Sequence, residues 1–227
     1  MTPSELDPHK APLTDTGVTD DGRYRATVRT FTPRWRMSPR VEKRMATLLP
    51  RYAVPTTMLD PVDVFGRDVP VVLEIGSGYG ESAIAYAEAQ PDHGIIAAEV
   101  HVPGVAAMMA KAEDRGVDNL RTHRGDAIEY LMRCVATDQL EAVHLFFPDP
   151  WPKAKHAKRR FVQQDTLDLL LDRLRPGGHV LIATDHEVYA QHVRLQLDRH
   201  PGVVVVEGER PAWRPSAGFE DKGLDAG

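Results

Sequence analysis

Residues 71–80 read VVLEIGSGYG, an apolar run that leads directly into a glycine-rich turn. A short apolar run bounded by such a turn is typical of a strand that is buried on both faces of a parallel sheet. The glycines allow the backbone to turn sharply and to approach a ligand closely. This stretch therefore predicts a parallel sheet whose ligand site lies at the carboxyl ends of its strands.

Short apolar runs alternate with helical patterns along the rest of the chain. Strands are predicted at Val71–Ile75, Ile95–Glu99, Leu120–His123, Ala142–Phe147, His179–Thr184 and Val203–Val206. Helices are predicted from Ser38-Pro39 to about Tyr52 and near residues 81–90, 103–115, 126–135, 163–174 and 186–199. Because the strands are nearly continuous apolar runs, we predict an α/β fold with helices on both faces of the sheet.

The length and composition fit a single domain. The chain has 227 residues, of which 42% are hydrophobic, and this is enough for one full core. Residues 1–22 are polar and predict a disordered tail, followed by one domain over residues 23–227. There is no apolar run of membrane-spanning length, no signal peptide and no cluster of metal ligands, and Cys134 is the only cysteine. We therefore expect a cytoplasmic protein without membrane or metal partners, as a monomer or alternatively a homodimer.

Positive charge is concentrated in two blocks, although the whole chain has a formal net charge of −5. Residues 23–51 carry +8 and residues 153–160, KAKHAKRR, carry +5, whereas the tail over residues 1–22 carries −4. Basic blocks attract polyanions at short range, and a solvated charged surface is the alternative explanation for either block alone. Together the two blocks favour a nucleic-acid partner.

An acidic residue lies at or just after the end of five predicted strands. These residues are Glu74, Glu99, Asp126, Asp149 and Asp185. Glu99 follows Gly76 by 23 residues, the spacing at which an acid usually accepts both ribose hydroxyls, although it could be an ordinary surface carboxylate. Asp126 is expected to hydrogen-bond an adenine amino group, with a role as helix N-cap alone as the alternative.

The glycine spacing distinguishes between two classes of cofactor. The turn reads GxGxG, and Glu81 stands where the dinucleotide fingerprint GxGxxG has its third glycine. A carboxylate at that point would repel a pyrophosphate. An adenosine without phosphates, carrying a sulfonium and an ammonium, fits the acidic site better than NAD does.

Residues 146–153, FFPDPWPK, follow the fourth predicted strand. The prolines at positions 148, 150 and 152 fix φ and remove three N–H donors, so this segment cannot continue a β ladder. We expect a stiff support that holds Asp149 outward, and we expect Trp151 to pack on the core.

Four segments resemble the bacterial tRNA (guanine-N7-)-methyltransferase family. They are LEIGSGYGE (73–81), AAEVHVPGV (97–105), RGDAIEYL (124–131) and LFFPDPWPKAKHAKRRFVQ (145–163). The resemblance runs from about Val71 to Asp185, and the stretch over residues 148–160 is highly specific. It implies a Rossmann-like sheet of seven strands with the last antiparallel. It also implies methyl transfer from S-adenosylmethionine to N7 of a guanine, at position 46 in the variable loop of tRNA.

The resemblance also implies roles for individual residues. The expected cofactor-binding residues are Glu74, Gly76, Gly78, Glu99, Asp126 and Asp149, and Asp149 is also the expected catalytic residue. Substrate contacts are implied at Lys153, Asp185, Phe219 and Glu220. RNA contacts are implied at Lys155, His156, Lys158, Arg159 and Arg160.

Both termini depart from the family pattern. Residues 29–36, RTFTPRWR, are similar to the N-terminal basic motif with a shortened spacing, and residues 214–220, RPSAGFE, have Ala217 where the family has Thr. Family members continue past the position of Gly227 into a final antiparallel strand. We therefore expect that strand to be missing, and residues beyond about Pro201 to be poorly packed or completed by another molecule.

Two alternative functions remain open at this point. One is a methyltransferase with the same cofactor that acts on another RNA, a protein or a small molecule, and the basic stretch argues against the last two. The other is a non-catalytic RNA-binding protein with the same fold, and the presence of Glu74, Glu99, Asp126 and Asp149 argues against it. A serine hydrolase would need a GxSxG motif, which the chain lacks.

Overall fold

Five strands alternate with helices in the computed structural model, which describes residues 37–216. The strands are β1 (Val71–Ile75), β2 (Gly94–Glu99), β3 (Leu120–Arg124), β4 (Leu140–Phe146) and β5 (Leu174–Ala183). The helices are α1 (Pro39–Tyr52), α2 (Pro61–Phe65), α3 (Glu81–Ala89), α4 (Val102–Asp114), α5 (Ala127–Cys134), α6 (Gln164–Arg173) and α7 (Glu187–Asp198). A 3-10 helix spans Ala154–Arg159. The predicted tail and the N-terminal basic motif lie outside the described residues.

The sheet is parallel throughout, with the strand order β3-β2-β1-β4-β5. The chain runs outward from β1 to β2 and β3, and then crosses back to place β4 on the other side of β1. The connections after β1 and β4 therefore diverge, and they leave a crevice at the carboxyl ends of these two strands. This topology confirms the predicted α/β fold with a parallel sheet.

Both faces of the sheet are covered by helices, as predicted. In β1, Val71, Leu73 and Ile75 belong to a core that includes buried residues of α5, α6 and α7. Val72 belongs to a second core with residues of α1, α3 and α4. Successive strand residues point to opposite faces, so Glu74 lies on the same face as Val72.

Local sequence signals explain where the helices begin. Ser38 is the N-cap of α1, where its Oγ accepts a hydrogen bond from the Val41 N–H at 3.4 Å, and Pro39 takes the first helical position. One face of α6 packs on the core, because Leu167 and Leu170, three residues apart, are both buried, as is Leu174 after the helix. The short helix α2 was not predicted, although Asp60 caps its first turn and Gly66 ends it in the left-handed conformation.

Two expectations about strands were wrong. Residues 203–210 form no strand, and Val204 and Val206 are 92% and 85% exposed. Four consecutive valines favour a strand only where a neighbouring strand pairs with them, and none does so in residues 37–216. The sheet therefore has five strands in this part of the chain, one fewer than the six predicted from the sequence. β5 also begins earlier than predicted, because Leu174 pairs with Leu140 across a register shift.

The segment that follows the valines packs against the domain, contrary to expectation. Arg214 is 4% exposed, and the Trp213 ring stacks on His144 with centroids 5.2 Å apart. The prediction of poor packing beyond Pro201 therefore holds for residues 203–210 and is wrong for these two residues. Within residues 37–216, every helix is too short or too polar to span a lipid bilayer.

Candidate active site

A cavity of about 340 Å³ opens at the carboxyl ends of the strands, over the crevice between β1 and β4. Its wall is formed by residues 75–76, 98–101, 125–128 and 145–149, together with Trp151, Arg159 and Phe161. These segments are the ends of β1, β2, β3 and β4 and the loops that follow them. The predicted ligand edge of the sheet therefore carries a cavity of the size that small ligands occupy.

The glycine-rich turn after β1 borders the cavity, with Gly76 in the cavity wall and Gly78 outside it. Gly76 and Gly78 have φ angles of +73° and +57°, a region that residues with a Cβ rarely adopt. No atom lies within 4 Å of the position that a Cβ would take at either residue, so a ligand has room to approach the backbone. Behind the turn, a Cβ on Gly104 of α4 would lie 2.3 Å from the Gly78 carbonyl oxygen. Helix α4 therefore packs directly on the turn.

Glu99 lies at the end of β2 and contacts the turn from the cavity side. Its Oε2 accepts a hydrogen bond from the Gly78 N–H, and its Oε1 accepts from the Val100 and His101 N–H groups, each at 2.7 Å. A carboxylate offers about four acceptor sites. Three N–H donors therefore leave room for about one more, so in this conformation Glu99 has room for one ribose hydroxyl rather than for two.

Asp126 caps a helix, the alternative role that the sequence left open for it, and also lines the cavity. Its Oδ1 accepts from the Ile128 and Glu129 N–H groups at 2.8 and 3.3 Å, which caps α5. The same residue lines the cavity. The adenine contact expected of Asp126 stays a prediction, at a residue that the structure places in the cavity wall.

Glu74 is placed differently from the other acids. It is 3% exposed, lies outside the cavity wall, and its Oε2 is 3.9 Å from Nδ1 of His144 on the neighbouring strand β4. Burial raises the pKa of Glu74 to about 8, with a further contribution from Glu81. Burial lowers the pKa of His144 to about 4. The Glu74 side chain therefore lies outside the cavity in this arrangement, and the cofactor contact expected of it stays a prediction.

The loop after β4 has a constrained backbone. Phe147 and Trp151 have φ angles of +50° and +39°, which place both residues in the left-handed region without being glycine. Asp149 lies between them, is exposed, and lines the cavity. Trp151 also lines the cavity and is half-buried, so the expectation that it packs on the core was wrong. Strained residues of this kind are concentrated at functional sites.

The basic stretch after this loop divides into exposed and enclosed side chains. Lys153, Lys155 and Lys158 are exposed. The Arg159 guanidinium lies 4.8 Å from the centroid of the Trp151 ring, and the His156 ring meets the same indole edge-on at 5.6 Å. Arg159 and His156 therefore both pack against the Trp151 ring, and Arg159 brings positive charge to the cavity wall.

Arg160 does not fit the role predicted for it. The residue is 6% exposed, and its Nε and Nη2 donate to the carbonyl oxygens of Pro150 and Trp151, each at 3.1 Å. A guanidinium enclosed in this way cannot meet an RNA phosphate, so the predicted RNA contact of Arg160 is wrong in this conformation.

The predicted substrate contacts are only partly described. Lys153 and Asp185 are exposed and lie outside the cavity wall, Asp185 just after β5. Phe219, Glu220 and Ala217 lie outside the described residues.

Sequence reasoning missed four residues at or next to the site. His101 and Phe147 line the cavity, and the Arg214 guanidinium lies 5.2 Å and 5.3 Å from the ring centroids of Phe146 and Phe147. Trp213 packs beside it on His144. The FF pair before the prolines was a usable signal for Phe147, but Trp213 and Arg214 belong to no periodic element.

The charge on the cavity wall favours a cationic ligand. Glu99, Asp126 and Asp149 line the cavity, and Arg159 is the one lysine or arginine among the described residues of the wall. A glycine turn without the dinucleotide spacing, an acid at the end of β2 and a capping aspartate after β3 suit an adenosine that carries positive charge.

Known proteins are similar in sequence to this chain over most of its length. A family model described as "Putative methyltransferase" matches residues 68–226. A tRNA (guanine-N(7)-)-methyltransferase of Nitrosomonas europaea is 44% identical over 187 residues, covering 80% of this chain and 83% of that protein. The enzyme of the same name from Alcanivorax borkumensis is 41% identical over 216 residues, covering 92% and 90%. That from Paraburkholderia xenovorans is 38% identical over 232 residues, covering 100% and 89%. The chain therefore belongs to the tRNA (guanine-N(7)-)-methyltransferase family.

Proposed function

We propose that this protein transfers a methyl group from S-adenosylmethionine to N7 of a guanine in tRNA. The observation that carries the proposal is the position of Asp149, on a proline-stiffened loop between an acidic cavity and a run of exposed lysines. Membership of the methyltransferase family supports the reaction, and the lysines support a polyanionic substrate.

The residues of the cavity fit the cofactor. S-adenosylmethionine, when bound, supplies an electrophilic methyl group on a positively charged sulfur. Gly76 and Gly78 leave their backbone open to a ligand, and Glu99 retains acceptor capacity for a ribose hydroxyl. Asp126, which lines the cavity, would accept from an adenine amino group. The three carboxylates of the wall also favour the sulfonium and ammonium charges of this cofactor over the phosphates of NAD.

The chemistry requires positioning more than a base. Guanine N7 has an in-plane lone pair and no proton to lose. Methyl transfer to N7 would form an N–C bond at the expense of the S–C bond, whose electron pair would stay on sulfur, and the purine would take up the positive charge. Asp149 would accept hydrogen bonds from the N1–H and N2–H₂ edge of the guanine, which becomes more acidic as N7 is methylated.

The exposed lysines offset the acidity of the cavity toward RNA. The loop over residues 147–152 carries Asp149 and is called the Asp149 loop below. Lys153, Lys155 and Lys158 follow it, and all three are exposed, so their charges can reach a bound polyanion. Recognition would rest on phosphate contacts and on an extruded base, as is usual for RNA. Lys153, next to the loop, would donate to guanine O6 or to a phosphate.

The direct test is methyl transfer to an unmodified tRNA transcript, followed by nucleoside mass spectrometry and mapping of the methylated base. We expect 7-methylguanosine at the variable-loop guanine that the family resemblance implies. A transcript with 7-deazaguanine at that position is the matched control, since it keeps the base-pairing edge and lacks only the N7 lone pair. We expect it to bind and to receive no methyl group.

Other products would contradict the proposal in recognisable ways. Methylation of the 7-deaza transcript to the same extent would show that N7 is not the acceptor atom. Tight tRNA binding without any transfer in the presence of cofactor would instead indicate a non-catalytic RNA-binding protein.

A further inference from the structure

We infer that Arg160 is a positioning residue, whose enclosed guanidinium fixes the backbone that carries Asp149. The inference rests on the proposed function, because it assigns Arg160 a role in the reaction at the Asp149 loop. It replaces the RNA contact that the sequence predicted for this residue.

The Asp149 loop cannot fix its own backbone. Prolines at positions 148, 150 and 152 provide no N–H donors, so the loop cannot form the ladder hydrogen bonds that would hold a strand. Phe147 and Trp151 are held in the left-handed region, which side chains with a Cβ disfavour. The Phe147 N–H donates to the Ala183 carbonyl oxygen of β5 at 2.8 Å and anchors the start of the loop. The far end of the loop needs a donor from elsewhere.

Arg160 supplies that donor. Its Nε and Nη2 each donate at 3.1 Å, the first to the Pro150 carbonyl oxygen and the second to that of Trp151. A guanidinium presents its N–H groups in a rigid planar fork, so one side chain fixes two consecutive carbonyls. Hydrogen bonds from a charged donor are also stronger than neutral ones. The two hydrogen bonds of Arg160 therefore hold the two residues immediately after Asp149.

Arg160 is itself held by the start of α6. Its N–H donates to the Ala157 carbonyl oxygen at 3.1 Å, and its own carbonyl accepts from Gln163 Nε2 at 3.2 Å. Gln163 is the N-cap of α6, where its N–H donates to Thr166 Oγ1 at 2.9 Å. The Asp149 loop is therefore tied through Arg160 to a helix that is anchored in the core.

The neighbouring arginine shows that the contact of Arg160 is specific. Arg159 is half-buried, lines the cavity and lies over the outer face of Trp151. Arg160 is buried and contacts the backbone of the same loop instead of the ring. Two consecutive arginines thus contact Trp151, one at its ring and one at its carbonyl oxygen, and only Arg159 lines the cavity.

Arg160→Gln and Arg160→Lys test the inference. Glutamine removes the charge and the fork, so we expect kcat to fall at least about 10-fold as Asp149 loses its position, with unchanged KM for tRNA. Lysine keeps the charge but cannot span two carbonyls, so we expect it to restore only part of kcat. Acrylamide quenching of tryptophan should rise in both variants, with Trp151→Phe used to identify the Trp151 signal.

Two control variants separate positioning from loss of charge. Lys158→Gln removes one exposed charge from the same stretch, and we expect a raised KM for tRNA rather than a lowered kcat. Arg194→Gln removes an arginine of α7 that pairs with Glu207 and lies outside the cavity wall, and we expect no change in either constant.

The outcomes distinguish this inference from the proposed function. A wild-type protein that makes no 7-methylguanosine refutes the proposed function, whereas tryptophan quenching reports on the loop without any substrate. Arg160→Gln with wild-type kcat, a raised KM and a weaker salt dependence of tRNA binding would make Arg160 an RNA contact and overturn the inference. If Arg160→Gln does not fold, Arg160→Lys is the deciding variant. Wild-type kcat and wild-type tryptophan quenching in Arg160→Lys would overturn the inference. Loss of folding in both variants also overturns it, because Arg160 would then support the domain as a whole.

Discussion

Asp149 is an exposed carboxylate between two prolines, on a backbone that hydrogen bonds hold at both ends. The left-handed residues Phe147 and Trp151 each disfavour the observed loop by about 1–2 kcal/mol, and this conformation persists because β5 and Arg160 hold it from outside. A group that is fixed before the substrate arrives does not need to reorganise during the reaction.

We therefore predict that Asp149→Ala lowers kcat at least about 10²-fold, the scale of one preorganised electrostatic group. Cofactor affinity should fall much less, since Glu99 and Asp126 remain. Steady-state kinetics and cofactor titration measure the two effects, with Asp114→Asn on the exposed end of α4 as the control. Near-wild-type turnover in Asp149→Ala would remove Asp149 from the mechanism.

Glu74 is the one buried acidic side chain among residues 37–216. Burial is the main cause of its high pKa of about 8, while the Ala83 N–H and the nearby Arg214 act in the opposite direction. Between pH 6.5 and 8 the folded protein keeps a proton on Glu74 that the unfolded chain has lost. Raising the pH through this window therefore favours the unfolded state. His144 and His123, with pKa values of about 4, stay neutral throughout it.

Glu74→Gln should remove this dependence. We expect the free energy of unfolding of the wild type to fall more steeply between pH 6.5 and 8 than that of the variant, by up to about 1.4 kcal/mol per pH unit. Urea denaturation at several pH values measures both slopes, and the exposed Glu209→Gln is the control. Equal slopes for wild type and Glu74→Gln would mean that Glu74 is already ionised in the folded protein.

At the scale of elements, α4 and the glycine turn form one unit. Gly104→Ala would place a Cβ 2.3 Å from the Gly78 carbonyl oxygen and 3.2 Å from His101 Nδ1, and the backbone oxygen cannot rotate away. Overpacking of this kind costs about 1–3 kcal/mol. Part of that strain should reach the Glu99 contact with Gly78, so we expect the Kd for cofactor to rise about 10-fold.

Isothermal titration with S-adenosylhomocysteine and thermal denaturation test this prediction together. Gly208→Ala is the matched control, because no atom lies within 4 Å of its Cβ position. A lowered Tm with unchanged Kd would show that the helix and the turn respond independently.

The valine segment, Val203–Val206, has the sequence of a β-strand but has no neighbouring strand to pair with in residues 37–216. Val204 and Val206 are 92% and 85% exposed. We expect Val204→Ser/Val206→Ser to change the free energy of unfolding by no more than about 0.5 kcal/mol and to raise the concentration at which the protein aggregates. Hydrogen exchange should be fast over residues 203–206. Val193→Ser, at a position that is 7% exposed, should by contrast destabilise the fold. Strong amide protection of the valines would mean that they are paired after all.

The sequence predicted correctly the elements that depend on local patterns. It did not predict those that depend on pairing with a strand distant in the chain. β1 was predicted to the residue, and α3 through α7 to within two residues at each end, because their apolar periodicity and caps are local. The strand at Val203–Val206 failed because a strand depends on a neighbour that no local pattern contains. The early start of β5 failed for the same reason, since pairing with Leu140 determines it.

For the whole molecule, the topology explains why a sequence of strand ends predicted one cavity. Parallel strands bring their carboxyl ends to the same edge, so Glu99, Asp126 and Asp149 meet although 27 and 23 residues separate them in the chain. Glu74 and Arg160 were predicted to contact ligands and are buried instead. Whether a side chain faces the cavity or the interior can change from one residue to the next, and the sequence pattern did not resolve this. Period-two alternation turns Glu74 away from the cavity, and the sequence KRR gives no sign of which arginine turns inward.

The charge distribution of the whole molecule predicts how it meets RNA. The net charge of −5 opposes association with a polyanion at long range, and the exposed lysines beside the cavity act only within about 10 Å at moderate salt. Affinity for tRNA should therefore depend on where the positive charges lie rather than on their total.

Replacing Lys153, Lys155 and Lys158 with Gln should weaken tRNA binding and flatten the plot of log K against log salt concentration. We expect the slope to change by up to about 0.7–0.9 for each phosphate that a lysine no longer neutralises. Replacing Arg67, Arg115 and Arg194 with Gln removes the same charge from ion pairs with Asp92, Glu88 and Glu207, and we expect an unchanged slope. Equal effects of the two triple variants would mean that net charge alone governs tRNA binding, and an unchanged slope in both would mean that the lysines only solvate the surface.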